Sequence, residues 1–158
     1  MASDDIGKFD KPLERMDAKS DYKNAIRNHM EGDNIAAFVY LRRMVEKYVD
    51  YVYEKNKCKI QISKTCFSKK KKKKSTDKIS LLEGFVPQML IDNQKIYSIL
   101  SLGIHELNEE KCKEYYPSLK EAIDRVLSAE LDKMTDRKIR SNIQKILREE
   151  KGARKRTK

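Results

Sequence analysis

The chain has no tryptophan, and glycine and proline are scarce, five and three in 158 residues. A sandwich or barrel of short strands needs frequent turn residues, and this sequence cannot supply them. Cysteine is scarce too. Cys58, Cys66 and Cys112 are an odd number, which suits free thiols in a reducing compartment rather than a disulfide framework. There are only two histidines, His29 and His105. Neither pairs with Cys58 and Cys66 at zinc-like spacing. No stretch approaches the ~20 consecutive apolar residues of a membrane span. The opening MASDDIGKFDK lacks the apolar centre of a signal peptide. A Gly-rich phosphate loop and a nucleophile elbow are also missing. The expectation is a cytoplasmic, all-α protein that calls for no metal and no cofactor and does not engage a membrane.

What the chain has in abundance is charge. Charged residues make up 39%, as do hydrophobic ones, and the net charge is +11. The positive excess is concentrated in two places. One is the run Lys69, Lys70, Lys71, Lys72, Lys73 and Lys74. The other is the stretch 137–158, which carries ten Lys/Arg against two Glu and includes Arg137, Arg140, Arg148, Arg154, Lys155 and Arg156. Without these the body is mildly acidic, at −3. Such patches suit phosphate backbones, so RNA or DNA is a candidate partner, and these twelve residues are the candidate contacts.

Apolar periodicity predicts an up-and-down bundle of about five helices. The first spans Asp17 to Glu31, with Gly32 as its stop and Asp33 or Asn34 as the next cap. The second runs from about Ile35 to Glu54 on a stripe of Ile35, Phe38, Val39, Val45, Val49 and Val52. Residues 55–77 have no helical stripe and read as a Lys-rich excursion with room for a small hairpin at KIQIS. A short helix after Ser75 breaks near Gly84 and Pro87, and another covers about Asp92 to Leu107. Asn108 then caps an acidic turn, and Pro117 opens a final helix with Leu119, Ala122, Ile123 and Val126 on one face. Beyond Thr135 a second stripe, Ile139, Ile143, Ile146 and Leu147, points the opposite way. Either the chain bends near 134–137 or this stripe meets a different partner. The domain reading is 1–16 leader or linker, 17–135 helical domain, and 136–158 basic amphipathic helix and tail.

Two features carry candidate chemistry. Arg42 and Glu46 are four apart and fall within the apolar arc of the second helix, where a charged pair needs partners. His105 lies off the core stripe of its own helix, just past Gly103. A cation, a carboxylate and an imidazole could together cleave a phosphodiester by general acid–base chemistry.

AAFVYLRRMVEKYVD, 36–50, resembles the second helix of the HEPN superfamily, with Arg and Glu on its inner face. YSILSLGIHELNEEKCKEYYPSLKEAIDRVL, 97–127, resembles HEPN-like domains at the ends of uncharacterised prokaryotic proteins. There a helix ends in Gly and His, and an acidic turn and a long helix follow. The resemblance covers about residues 20–135. It implies a helical bundle, a homodimer, and a setting in RNA handling or prokaryotic defence. Many members are metal-independent ribonucleases that use an Arg a few residues before a His. Here the His would be His105, but Ser98, Ile99 and Leu100 stand where the Arg belongs, and the nearest preceding base is Lys95. The expectation is therefore a non-catalytic HEPN-like domain that dimerises and binds nucleic acid or a nucleic-acid-handling partner. The alternatives are a degenerate ribonuclease built from His105, Arg42 and Glu46, and a pure protein-interaction module using the Ile139/Ile143/Ile146 stripe.

Overall fold

The structure, a computed structural model, describes residues 7–60 and 75–156. Among them there are seven helices and no strand: α1 (Asp10–Arg15), α2 (Lys19–Glu31), α3 (Asn34–Asn56), α4 (Ser75–Ser80), α5 (Gln88–Asp92), α6 (Ile96–His105) and α7 (Glu109–Arg156). The all-α expectation holds. The lysine run lies outside the described residues, as does the part of the suggested KIQIS hairpin beyond Ile60. Lys59 and Ile60 form a turn whose amides donate to the Asn56 carbonyl.

Helix α3 is the centre of the bundle and packs on α2, α6 and α7. Its buried face consists of Ala37, Phe38, Leu41, Met44, Val45, Tyr48, Val49, Val52 and Tyr53. This differs from the aliphatic stripe read from sequence. Leu41, Met44 and the two tyrosines pull the core arc to one side and leave Ile35 and Val39 half-buried. Tyrosine joins a core readily when its hydroxyl has a partner, and the Tyr48 hydroxyl meets Glu130 at 3.4 Å.

The junction between α2 and α3 follows the local chemistry. Gly32 adopts φ 89°, the left-handed turn that ends a helix cheaply only for glycine. The Asp33 side chain then accepts from the Ala36 amide at 3.1 Å. The Ala37 amide bonds to the Asp33 carbonyl at 3.1 Å. The remaining two first-turn donors are satisfied from α7. The Glu109 carboxylate accepts from Asn34 N at 2.6 Å and from Ile35 N at 3.3 Å. The Asp33 amide itself donates to the Asn28 carbonyl at 2.8 Å. The four donors from Asp33 to Ala36 that lack an intrahelical acceptor are thus all met, two of them by a residue 74–75 positions away. Replacing Glu109 with Ala is expected to cost about 1–2 kcal/mol, as the loss of a charge-assisted cap, while Gln retains part of it. Urea denaturation of the two variants checks this.

Three boundaries differ from expectation. Residues 9–16 are not a leader. Phe9, Pro12, Leu13 and Met16 are buried, and α1 packs on α2 and α7. Four apolar anchors among charged neighbours were too few to show a period. The helix expected over 92–107 is broken at 93–95, where the Asn93 backbone amide and side-chain amide both donate to the Met89 carbonyl and close α5. Pro117 does not open the last helix but lies well inside α7. The lost backbone bond is offset because Cys112 and Tyr116 before it and Leu119 and Ile123 after it are all buried against the body. Helix α7 then continues unbroken past Met134, so the two opposed stripes belong to one helix. The first packs on the body, and residues 135–152 are exposed on every face.

Candidate functional site

Arg42 and Glu46 are paired, with Arg42 Nε 3.3 Å from Glu46 Oε1. They do not face the core centre as the sequence suggested. They flank it, with side chains 30% and 41% exposed, because the tyrosines and Leu41 shift the arc away from them. Tyr97, from the first turn of α6, completes the group. Its hydroxyl donates to Glu46 at 2.5 Å and accepts from Arg42 Nε at 3.0 Å. The guanidinium also sits 5.2 Å from the tyrosine ring centroid. Burial pulls the Arg42 pKa down, but Tyr97 and Glu46 outweigh it and hold the guanidinium above its ordinary value. These residues line a polar cleft of about 310 Å³ with Val45, Val49, Asp50 and Lys78. Two cations, two carboxylates and a phenol neutralise one another there. This arrangement ties α3 to α6. A Tyr97→Phe change is expected to cost about 1 kcal/mol or less, because the pair is half-exposed and solvent screens it. Thermal unfolding of the variant measures it.

His105 is not part of this group. It stands in the last turn of α6, eight residues from Tyr97, or about 12 Å along a helix. It is exposed, as its position off the core stripe implies. Among the described residues it makes no hydrogen bond and no ion pair. Neither Glu106 nor Glu109 bonds to it. Within one chain the structure brings Arg42 and Glu46 together and leaves His105 apart. Cys112, the cysteine nearest to His105 in sequence, is fully buried. Burial first, and then the Glu109 charge, pushes its thiol pKa up, which disfavours the reactive thiolate.

The other histidine, His29, has a structural role. Its ring stacks on Tyr116 at 3.8 Å between centroids. Its Nδ1 meets the Asn34 side-chain oxygen at 2.7 Å, at the start of α3.

A third polar centre was not anticipated. Glu130 is 2% exposed, on the core face of α7. Lys133 reaches it at 3.0 Å, Lys55 at 3.2 Å and the Tyr48 hydroxyl at 3.4 Å. Lys133 also donates to the Phe85 carbonyl at 3.0 Å. The stripe Leu119, Ile123, Val126 and Leu127 passes directly through position 130. The charged residue inside an apolar arc was therefore legible by the rule that singled out Arg42.

The basic candidates divide between the two appendages. Arg137, Lys138, Arg140, Lys145, Arg148 and Lys151 are all exposed on the free half of α7. At about 100° per residue, Arg137, Lys138, Lys145 and Arg148 occupy the face opposite the Ile139/Ile143/Ile146/Leu147 stripe. Arg154, Lys155 and Arg156 continue the same helix. Lys69 to Lys74 lie outside the described residues.

No family model, curated protein or solved structure matches this chain. The functional reading therefore rests on its own residues. No described helix is long and apolar enough to cross a membrane.

Proposed function

We propose that this protein is a non-catalytic, HEPN-like helical domain that acts as a homodimer and binds nucleic acid. The observation that carries the reading is the free half of α7. An unbroken helix leaves the body with every residue from 135 to 152 exposed and four cations on one face. An exposed helix with cations on one side fits the phosphates lining a groove, where binding is driven by release of counterions. The lysine run, Lys69 to Lys74, adds a second positive patch on sequence grounds alone. The resemblance at 36–50 and 97–127 supports the bundle and the RNA-handling setting.

Three features support the non-catalytic part of the proposal. No Arg precedes His105 at 98–100. Arg42 is engaged by Tyr97 and Glu46. His105 stands apart from both in the chain. The ribonuclease reading needs a second subunit to bring Arg42 to His105. The test is incubation of purified protein with labelled RNA and with duplex DNA, followed by both mobility shift and denaturing gels. The expected result is retarded but intact nucleic acid. Cleavage that disappears in His105→Ala, with the helical circular dichroism unchanged, would establish the ribonuclease reading instead. No retardation of either probe at low salt leaves the interaction-module reading.

A further inference from the structure

The basic face of α7 has a counterpart that the proposed function does not use. Ile139, Ile143, Ile146 and Leu147 are 51%, 51%, 59% and 55% exposed. Four large apolar side chains in a row on a projecting helix are not explained by solubility. Their spacing, four then three residues, is that of a coiled-coil seam, in which an apolar stripe meets a matching stripe on another helix. Nothing among the described residues covers it.

We propose that this stripe pairs with the same stripe of a second copy of this chain, with the two α7 helices antiparallel. The charges at the ends of the seam select the occupant and its direction. Asp136 lies in line with the stripe on one side and Glu150 on the other. A parallel pair would set Asp136 against Asp136 and Glu150 against Glu150 at positions facing the seam, where like charges oppose association. Reversing one helix separates both clashes. Ile143 then faces Ile146 of the second copy, Asp136 comes beside Lys151 of the second copy, and Glu150 comes beside Arg140. Each of these contacts occurs twice about a two-fold axis, as an isologous interface requires. The segment is thus complementary to itself when reversed.

The length of the overhang fits the same arrangement. The axis falls near residue 144. From there the helix runs twelve residues to Arg156, about 18 Å, and ten residues back to Met134 at the edge of the body, about 15 Å. Each free end therefore stops close to the edge of the other body instead of running into its core. The outward faces of the pair carry Arg137, Lys138, Lys145 and Arg148 twice over, so one dimer offers two basic faces joined rigidly. The inference rests on the reading of the chain as a homodimer and names its seam. It does not require that nucleic acid be the ligand.

The experiment is sedimentation velocity on the nuclease-treated full chain across 1–100 μM, alongside an Ile143→Asp/Ile146→Asp variant. The chain weighs 18.6 kDa, and the expected species is a dimer of twice that mass. The variant should be monomeric with unchanged helical circular dichroism. A dimer that persists in the variant overturns the seam while leaving the homodimer reading in place. A wild-type monomer at 100 μM overturns both. Direction is read by oxidative cross-linking with Cys58 and Cys66 replaced by Ser. Mixed Arg140→Cys and Glu150→Cys chains should cross-link to each other. Glu150→Cys chains that cross-link efficiently among themselves instead would mean a parallel pair and overturn the proposal.

Discussion

Replacing Glu130 with Gln should destabilise the domain by about 3 kcal/mol, the lower end of what breaking a buried ion pair costs. The side chain is 2% exposed and is held by Lys133, Lys55 and the Tyr48 hydroxyl. The amide keeps the shape but loses the charge that the two ammonium groups need. The lower end applies because Lys55 and Lys133 are partly exposed, at 19% and 39%, and can turn toward water when their partner is lost. Glu130→Ala adds a cavity and should cost more. The midpoint of urea unfolding should fall, with an unchanged dependence on urea.

The same residue predicts a pH dependence. Burial pushes the Glu130 pKa up, but the hydrogen bond and charge of Lys133, together with Lys55, outweigh it and hold the carboxyl below its ordinary value of 4.5. A carboxyl that titrates lower when folded than when unfolded contributes its full stability above the unfolded value. It loses that contribution as pH falls through the folded value. The stability gap between wild type and Glu130→Gln should therefore be constant near neutral pH and narrow below about pH 4.5. A gap that widens on acidification would mean that the lysines do not hold the carboxylate.

The second large effect concerns binding. Arg137, Lys138, Lys145 and Arg148 share the exposed face of α7 opposite the apolar stripe. Changing all four to Gln should leave folding intact, since surface substitutions away from packing change stability little. If each of the four neutralises one phosphate of duplex DNA, the slope of log affinity against log salt should flatten by about 3.6. Wild type would then lose about two orders of magnitude more affinity than the variant between 50 and 200 mM salt. An unchanged slope would remove α7 from the contact surface and leave the lysine run as the remaining candidate.

How much of this was legible in the sequence depends on how each residue is held. Helix-ending chemistry was plain at Gly32 and Asp33, because the residues act on their own backbone within one turn. The second stripe at 139–147 was equally plain, because a 3.6-residue period needs no tertiary knowledge. The core arc of α3 is off-centre from its aliphatic stripe because Tyr48 and Tyr53 join it, and the burial of Tyr48 depends on Glu130, 82 positions away. For the same reason Arg42 and Glu46 sit shallower than the aliphatic stripe implies, and nothing local marks Tyr97 as the residue that joins them. Glu109 was seen as an acidic first-turn residue of its own helix, whereas it also caps α3 across the bundle. Contacts of that range leave no periodic trace. Residues 9–16 leave no periodic signal because a helix of one or two turns is too short to show an amphipathic pattern.

The central claim is that phosphate contacts made by the basic appendages of a folded, non-catalytic dimer bind nucleic acid. It is tested most directly by fluorescence anisotropy of a labelled 20-base-pair duplex and a single-stranded RNA of equal length, titrated with the intact protein from 50 to 200 mM salt. The account predicts binding of the duplex at 50 mM salt, intact probe afterwards, and a log–log slope of about −3.6 or steeper, corresponding to four or more phosphates neutralised. Absence of binding at 50 mM salt, or binding whose strength does not change with salt, would contradict it.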